Sequence, residues 1–132
     1  MGQAMLTGAA GGGVRGLEIL EAAGDGAAVL HVTGNVNSSN AVELLDRLEA
    51  VVAAGRPGMA LDLSRLAHIT SAGMRALLLA ERAAVKAGGT LVLYGLHGMT
   101  LELFEVGGFL EMFTVAGSRE EALRLAAGPA KS

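Results

Sequence analysis

The sequence contains no cysteine and no tryptophan, and only one tyrosine and three phenylalanines. Without cysteine the protein has no disulfide, no thiolate catalysis and no cysteine-ligated metal site. The scarcity of aromatic rings leaves few platforms on which nucleic-acid bases could stack. Because the hydrophobic fraction is nevertheless 52 %, the core must consist mainly of aliphatic side chains.

Positive charge is also scarce: 10 Lys and Arg stand against 13 Asp and Glu, and the basic residues occur singly. Phosphate backbones are bound by clustered cations, so we expect no nucleic-acid partner. The uncharged stretches are rich in glycine and shorter than the roughly 18 to 20 apolar residues of a spanning helix. No secretory signal pattern is present at the start. We therefore expect a cytoplasmic protein without membrane insertion.

A chain of 132 residues suits one domain. Residues 1–13 are rich in glycine and alanine and have no periodic pattern, which is typical of a flexible leader. We assign residues 14–128 to the domain and residues 129–132 to a short tail.

Hydrophobic periodicity predicts alternating strands and helices. Two β-like runs, 17–22 and 27–33, flank Gly24-Asp25-Gly26 and predict a hairpin. Apolar runs predict strands, and apolar residues at helical spacing predict helices: the strands are 59–64 and 90–95, and the helices begin at Ala41, Ala72 and Met99. Ser118 and Glu121 have the spacing of a capping box before a last helix, whereas "FLEMFTV" fits a strand or a turn. This order indicates an α/β domain with helices packed on a sheet.

Motifs for catalysis are missing. The three histidines, His31, His68 and His97, are far apart in the sequence, which argues against a metal site. The glycine-rich stretches match neither of the common nucleotide-binding patterns. In "ITSAG" an isoleucine replaces the first glycine of the hydrolase motif Gly-x-Ser-x-Gly. We expect no cofactor, no metal and no enzymatic activity.

Ser71 is the most informative polar residue, because it separates a β-like stretch from an apolar helix. Serine is a favoured helix N-cap, typically worth about 1 kcal/mol. The same position also suits a phosphate, since free amides and the helix dipole stabilise an anion there. Ala72 and Gly73 leave the hydroxyl open to a partner enzyme, so the two roles are compatible.

Two charged residues near Ser71 each allow two interpretations. Asp62 ends a strand just before the loop that leads to Ser71, and either caps that loop or belongs to the functional site. Arg75 lies in the first helical turn, where the helix dipole disfavours a cation. It is either a recognition residue or simply solvated.

Four blocks of sequence together resemble the STAS family, in particular the bacterial anti-sigma factor antagonists: "VTGNVNSSNAVELLDRL", "MALDLSRLAHITSAGMRALL", "AGGTLVLYGLHGMTLELFEVGGFLEMF" and "SREEAL". The resemblance covers about residues 17–126. It implies a STAS fold, an α/β domain with a mixed sheet of four or five strands and about four helices. It also implies that the protein binds a serine kinase of ATPase fold that acts as an anti-sigma factor, and so frees a sigma factor.

The resemblance further implies that the kinase phosphorylates Ser71, with Thr70 as the second candidate, and that a PP2C-type phosphatase restores binding. It predicts the following partner-binding residues: Gly34, Asn35, Asn37, Asp62, Thr70, Ala72, Gly73, Met74 and Arg75. Met74 fits the core equally well.

Many family members have Asp where this chain has Asn37 and Thr70. This difference keeps an alternative open, a STAS subunit of a lipid-transport ATPase complex or of a stress-signalling scaffold that is not phosphorylated.

Overall fold

The computed structural model describes residues 16–22 and 26–128. The predicted leader, the predicted tail and Gly24-Asp25 of the predicted turn lie outside the described residues. The strands are β1 (Leu17–Ala22), β2 (Ala28–Val36), β3 (Met59–Asp62), β4 (Leu66–Ile69), β5 (Leu91–Tyr94) and β6 (Thr114–Val115). The α-helices are α1 (Ala41–Ala53), α2 (Ser71–Lys86), α3 (Gly98–Val106) and α4 (Arg119–Ala127), and a short 3-10 helix spans Phe109–Met112.

Strand β2 organises a mixed sheet. It pairs antiparallel with β1, as the hairpin prediction requires, and parallel with both β3 and β4 on its other side. Strand β3 pairs with the first half of β2, and strand β4 pairs with the end of β2. One long strand thus pairs with two short strands on the same side. The sheet continues from β3 through β5 to β6 with parallel pairing. The described residues thus form six strands, one more than the upper number expected.

Helices cover both faces of the sheet. Successive residues of a strand point to opposite faces, and β3 shows the consequence: Leu61 belongs to the main core with α1 and α2, whereas Ala60 packs with α4. Helix α4 contributes Ala122 and Ala126 to its side. Small side chains on both surfaces allow α4 to approach the sheet closely.

The main core is aliphatic, as the composition predicts, apart from a cluster of phenylalanine rings at one end. Phe104 of α3 is fully buried, and its ring centroid lies 5.9 Å from that of Phe113. Helix α3 is further tied to the sheet by Thr100, whose hydroxyl donates to the carbonyl of Leu66 at 3.4 Å. This group closes the core beside β4.

The predicted capping box at α4 forms. The hydroxyl of Ser118 accepts a hydrogen bond from the amide of Glu121 at 3.1 Å, and the Glu121 carboxylate accepts from the amide of Gly117 at 2.7 Å. The segment "FLEMFTV", which the sequence left open, is a 3-10 turn followed by the two-residue strand β6. Within the described ranges, none of the helices has the length and hydrophobicity needed to cross a membrane.

Candidate functional site

The candidate site lies where β2 and β4 end. The amide of Thr70, which follows β4, donates to the carbonyl of Val36 at 2.9 Å. Asn37 follows Val36 and Ser71 follows Thr70, so this bond places the loop of residues 37–40 next to the first turn of α2. We call the loop of residues 37–40 and the first two turns of α2 together the loop–helix surface. Parallel pairing of the two strands brings them to the same end of the sheet.

Ser71 is the first residue of α2 and is exposed to solvent. Its hydroxyl makes no hydrogen bond among the described residues. The residue in the N-cap position is Thr70, with extended backbone angles of φ −96° and ψ 175°. The prediction that Ser71 caps the helix is therefore wrong by one residue, and its hydroxyl has no structural task there.

Thr70 occupies the cap position without acting as a side-chain cap. Its hydroxyl oxygen is buried and has no hydrogen-bond partner among the described residues. A buried hydroxyl without a partner has lost its hydration and gained nothing in return. The first-turn amides of α2 consequently receive no acceptor from Thr70.

Two of the predicted partner-binding residues, Gly73 and Met74, are buried. Met74 is only 4 % exposed and belongs to the main core. A β-carbon on Gly73 would lie 2.6 Å from Cγ1 of Ile69 and 2.7 Å from Cγ1 of Val36. Gly73 is thus required for α2 to pack closely on β2 and β4. Ala72 is half-buried and Arg75 is exposed, so these two remain on the surface.

Gly34 and Asn35 shape the backbone that leads to the site. Gly34 has φ +104°, and a β-carbon there would collide with the carbonyl of Gly16 at 1.9 Å. The pairing of β2 with β4 shifts register between these two residues, and the amide of Asn35 donates to Gly16. Only glycine readily adopts this backbone conformation against a neighbouring strand. Both residues are half-buried, so their evident task is to direct the chain into the following loop.

Asn37 holds that loop with its side chain. Its Oδ1 accepts from the amide of Ser39 at 2.9 Å and from the Ser39 hydroxyl at 2.6 Å. An aspartate would offer the same acceptor, because Asn and Asp both form this kind of turn. Asn37 therefore maintains the loop conformation while leaving the loop uncharged.

Sequence reasoning missed Asn40 as a member of this network. Asn40 is 3 % exposed, accepts from the amide of Asn37 at 2.8 Å and donates through Nδ2 to the carbonyl of Asn35 at 3.0 Å. Asn40 is also the N-cap residue of α1, where its side chain makes no cap bond. A buried asparagine that follows two exposed serines gives no signal in the sequence alone.

The loop–helix surface has almost no charge. Residues 37–40 and the first two turns of α2 contain one ionisable side chain, the exposed guanidinium of Arg75. The helix start has no acidic residue in its first turn. The positive end of the helix dipole therefore adds to Arg75 without an internal anion to offset it.

Asp62, another predicted partner-binding residue, is not part of the loop–helix surface. It occupies the same face of β3 as Ala60, the α4 side, opposite the face on which α2 packs. Its Oδ2 lies 2.7 Å from Nδ1 of His31 on β2. Burial by itself raises the pKa of Asp62, but hydrogen bonds from Ser64 and His31 outweigh burial and lower that pKa below 3.8.

Tyr94 of β5 lies next to Asp62 in the sheet, and burial raises the pKa of its phenol. Among the described residues, no group of three or more His, Asp or Glu side chains is arranged to hold a metal ion.

Comparison with known proteins agrees with this geometry. Residues 19–117 match the family model described as "Mlab, STAS domain". The chain belongs to the STAS domain family. The predicted STAS fold is confirmed, and the matched residues include the whole loop–helix surface.

Three known proteins are similar to this STAS domain. BtrV of Bordetella bronchiseptica, named as a candidate anti-sigma factor antagonist, is 44 % identical over 98 residues, which are 74 % of this chain and 84 % of BtrV. The crystal structure of an anti-sigma factor antagonist from Mycobacterium paratuberculosis superposes with a TM-score of 0.68 at 23 % identity, covering 82 % of this chain and 92 % of the other. The Bacillus cell fate determinant SpoIIAA in its phosphorylated form gives a TM-score of 0.60 at 16 % identity, covering 82 % and 96 %. The two structures show a common fold.

Proposed function

We propose that this STAS protein is an anti-sigma factor antagonist that binds a serine-kinase anti-sigma factor and is released when that kinase phosphorylates Ser71. The observation that supports this most is the exposed Ser71 hydroxyl, without a hydrogen bond among the described residues, on a surface with a single charge. The name of BtrV points to the same activity. In this scheme the protein acts in the cytoplasm, and a PP2C-type phosphatase removes the phosphate.

The chemistry requires little of this chain beyond presentation of the acceptor. The Oγ of Ser71 attacks the γ-phosphorus of ATP held by the kinase, the bond to ADP breaks, and the hydroxyl proton passes to a base of the kinase. Ser71 suits this role because its hydroxyl gives up no internal bond. Thr70 is the poorer acceptor, because its hydroxyl is buried.

Phosphorylation ends binding through charge. A phosphate adds about −1.5 to −2 charges at neutral pH. A partner that fits the nearly neutral loop–helix surface would have to desolvate this anion without supplying a cation of its own. A loss of about 3 kcal/mol weakens affinity more than a hundredfold, since 1.4 kcal/mol corresponds to a factor of ten.

Intact-mass spectrometry with peptide mapping tests the acceptor. The protein is incubated with ATP and a kinase encoded beside its gene, and wild type is compared with Ser71→Ala, Thr70→Val and the control Ser38→Ala. Ser38 is an exposed serine of the neighbouring loop. We expect one phosphate in every protein except Ser71→Ala. A kinase that binds the wild type but leaves it unmodified would refute the phosphorylation switch and favour the transporter-subunit or scaffold alternative.

A further inference from the structure

Arg75 is one helical turn beyond Ser71, and the fold offers no reason for its presence. Residues four apart on a helix are neighbours, with β-carbons about 5 to 6 Å apart. Both side chains are exposed. None of the ion pairs among the described residues includes Arg75. The positive end of the helix dipole offers a cation no attraction here, so the helix gives no reason for an arginine at this position.

We infer that Arg75 is the internal counter-ion of the phosphate on Ser71, and that phosphorylation thereby withdraws Arg75 from the partner. This inference rests on the proposed function, whose regulation it specifies. A guanidinium pairs with phosphate through two parallel hydrogen bonds, a geometry that lysine does not reproduce. The first-turn amides of α2, which receive no side-chain cap, favour the same anion.

Pairing of Arg75 with the phosphate changes two contributions to kinase binding. In the unmodified protein Arg75 is the one cation of the loop–helix surface and is free to contact an acidic or polar group of the kinase. In the phosphorylated protein the same guanidinium turns toward the Ser71 phosphate. The kinase then meets a new anion and also loses its contact with Arg75, so a single modification removes one attraction and adds one repulsion.

Three other ionisable side chains lie on elements near the start of α2. Glu43 lies in the first turn of α1, which packs against α2. Arg65 lies just before β4, and His68 lies in β4. All three are exposed, and none forms an ion pair with Arg75. His68 is the one histidine among them, and a histidine close to a phosphate would complicate a titration of that phosphate. A test therefore needs a background in which His68 is replaced.

The test uses protein that carries phosphoserine at position 71 from synthesis, so it does not depend on any kinase. Phosphorus NMR follows the second ionisation of the phosphate with pH in the His68→Gln background, alone and combined with Arg75→Gln, Arg75→Lys or Arg82→Gln. Arg82 is the matched control, an exposed arginine two turns further along α2. Circular dichroism verifies that each variant is folded.

We expect Arg75→Gln to raise the second pKa of the phosphate, ordinarily about 6, by about half a unit or more, which is about a threefold gain in proton affinity. Arg75→Lys should retain part of the effect, and Arg82→Gln should leave the titration unchanged. Equal titration with and without Arg75 would overturn the inference.

Binding to the kinase separates this inference from the proposed function. We expect Arg75→Gln to weaken binding of the unmodified protein, and phosphorylation of that variant to reduce affinity by a smaller factor than in wild type. Phosphorylation of Ser71 by the kinase together with an Arg75-independent titration would uphold the proposed function and refute the pairing. An Arg75-dependent titration in a protein that no kinase modifies would uphold the pairing and refute the proposed function.

Discussion

Gly73 of α2 packs directly against Val36 of β2, leaving no room for a β-carbon between them: such an atom would lie 2.7 Å from Cγ1 of Val36. The contact sets how closely the helix that bears Ser71 approaches the sheet. It also holds the helix start next to the loop that follows Val36. The geometry of the loop–helix surface thus depends on a buried glycine.

Gly73→Ala should destabilise the protein by about 1 to 3 kcal/mol, the usual cost of overpacking a core. The matched control is Gly117→Ala, because Gly117 has an ordinary φ and its nearest neighbour to a new β-carbon is a flexible carboxylate at 3.6 Å. Urea denaturation of both variants measures the difference. Equal stability of the two variants would show that α2 can shift without loss.

Thr70→Val should leave the protein as stable as wild type or more stable by up to about 1 kcal/mol, because it removes a buried hydroxyl that has no partner. Ser118→Ala provides the contrast, since the Ser118 hydroxyl does cap its helix. That variant should lose about 1 kcal/mol. Thermal unfolding compares them, and a comparable loss in Thr70→Val would mean that Thr70 caps α2 after all.

Asn37→Ala should destabilise the loop after β2 by about 1 to 2 kcal/mol, because both bonds from Ser39 lose their acceptor. Asn37→Asp keeps an acceptor at the same position and should remain near wild-type stability. Chemical denaturation of the three proteins decides between these outcomes. If Asn37→Ala were as stable as Asn37→Asp, the two hydrogen bonds from Ser39 would contribute nothing measurable to the stability of the protein.

Asp62→Asn should show a stability loss that depends on pH. Because hydrogen bonds hold the pKa of Asp62 in the folded state below 3.8, its carboxylate stabilises the fold above that value. The contribution disappears as the pH falls through the folded-state pKa. We expect a deficit of about 1 kcal/mol at pH 7 that shrinks below about pH 4. Asp46→Asn, an exposed carboxylate of α1, is the control in thermal unfolding, and a pH-independent deficit at Asp62 would contradict this account.

Much of the fold follows from local pattern. The apolar spacing of α1 and the hairpin of β1 and β2 were predictable because each element has an unbroken period over many residues. Strand β4 was not, because only Leu66 and Ile69 of its four residues are buried. Two buried residues three positions apart do not have the alternating pattern of a strand. Strand β4 forms because it pairs with the end of β2.

The candidate site was predictable in position but not in detail. The sequence indicated Ser71 from its place between a strand and a helix. It could not assign Asp62 to the opposite face, because that depends on which helix covers which side of β3. The network of Asn37 and Asn40 likewise depends on a loop conformation that no periodic pattern describes.

The most direct measurement of the central claim is the affinity of the partner kinase for the protein with and without phosphate on Ser71. Calorimetric titration of the kinase with protein synthesised in each form gives both constants. The account predicts tight binding of the unmodified protein and a loss of about a hundredfold or more with the phosphate. Equal affinity for the two forms would contradict it.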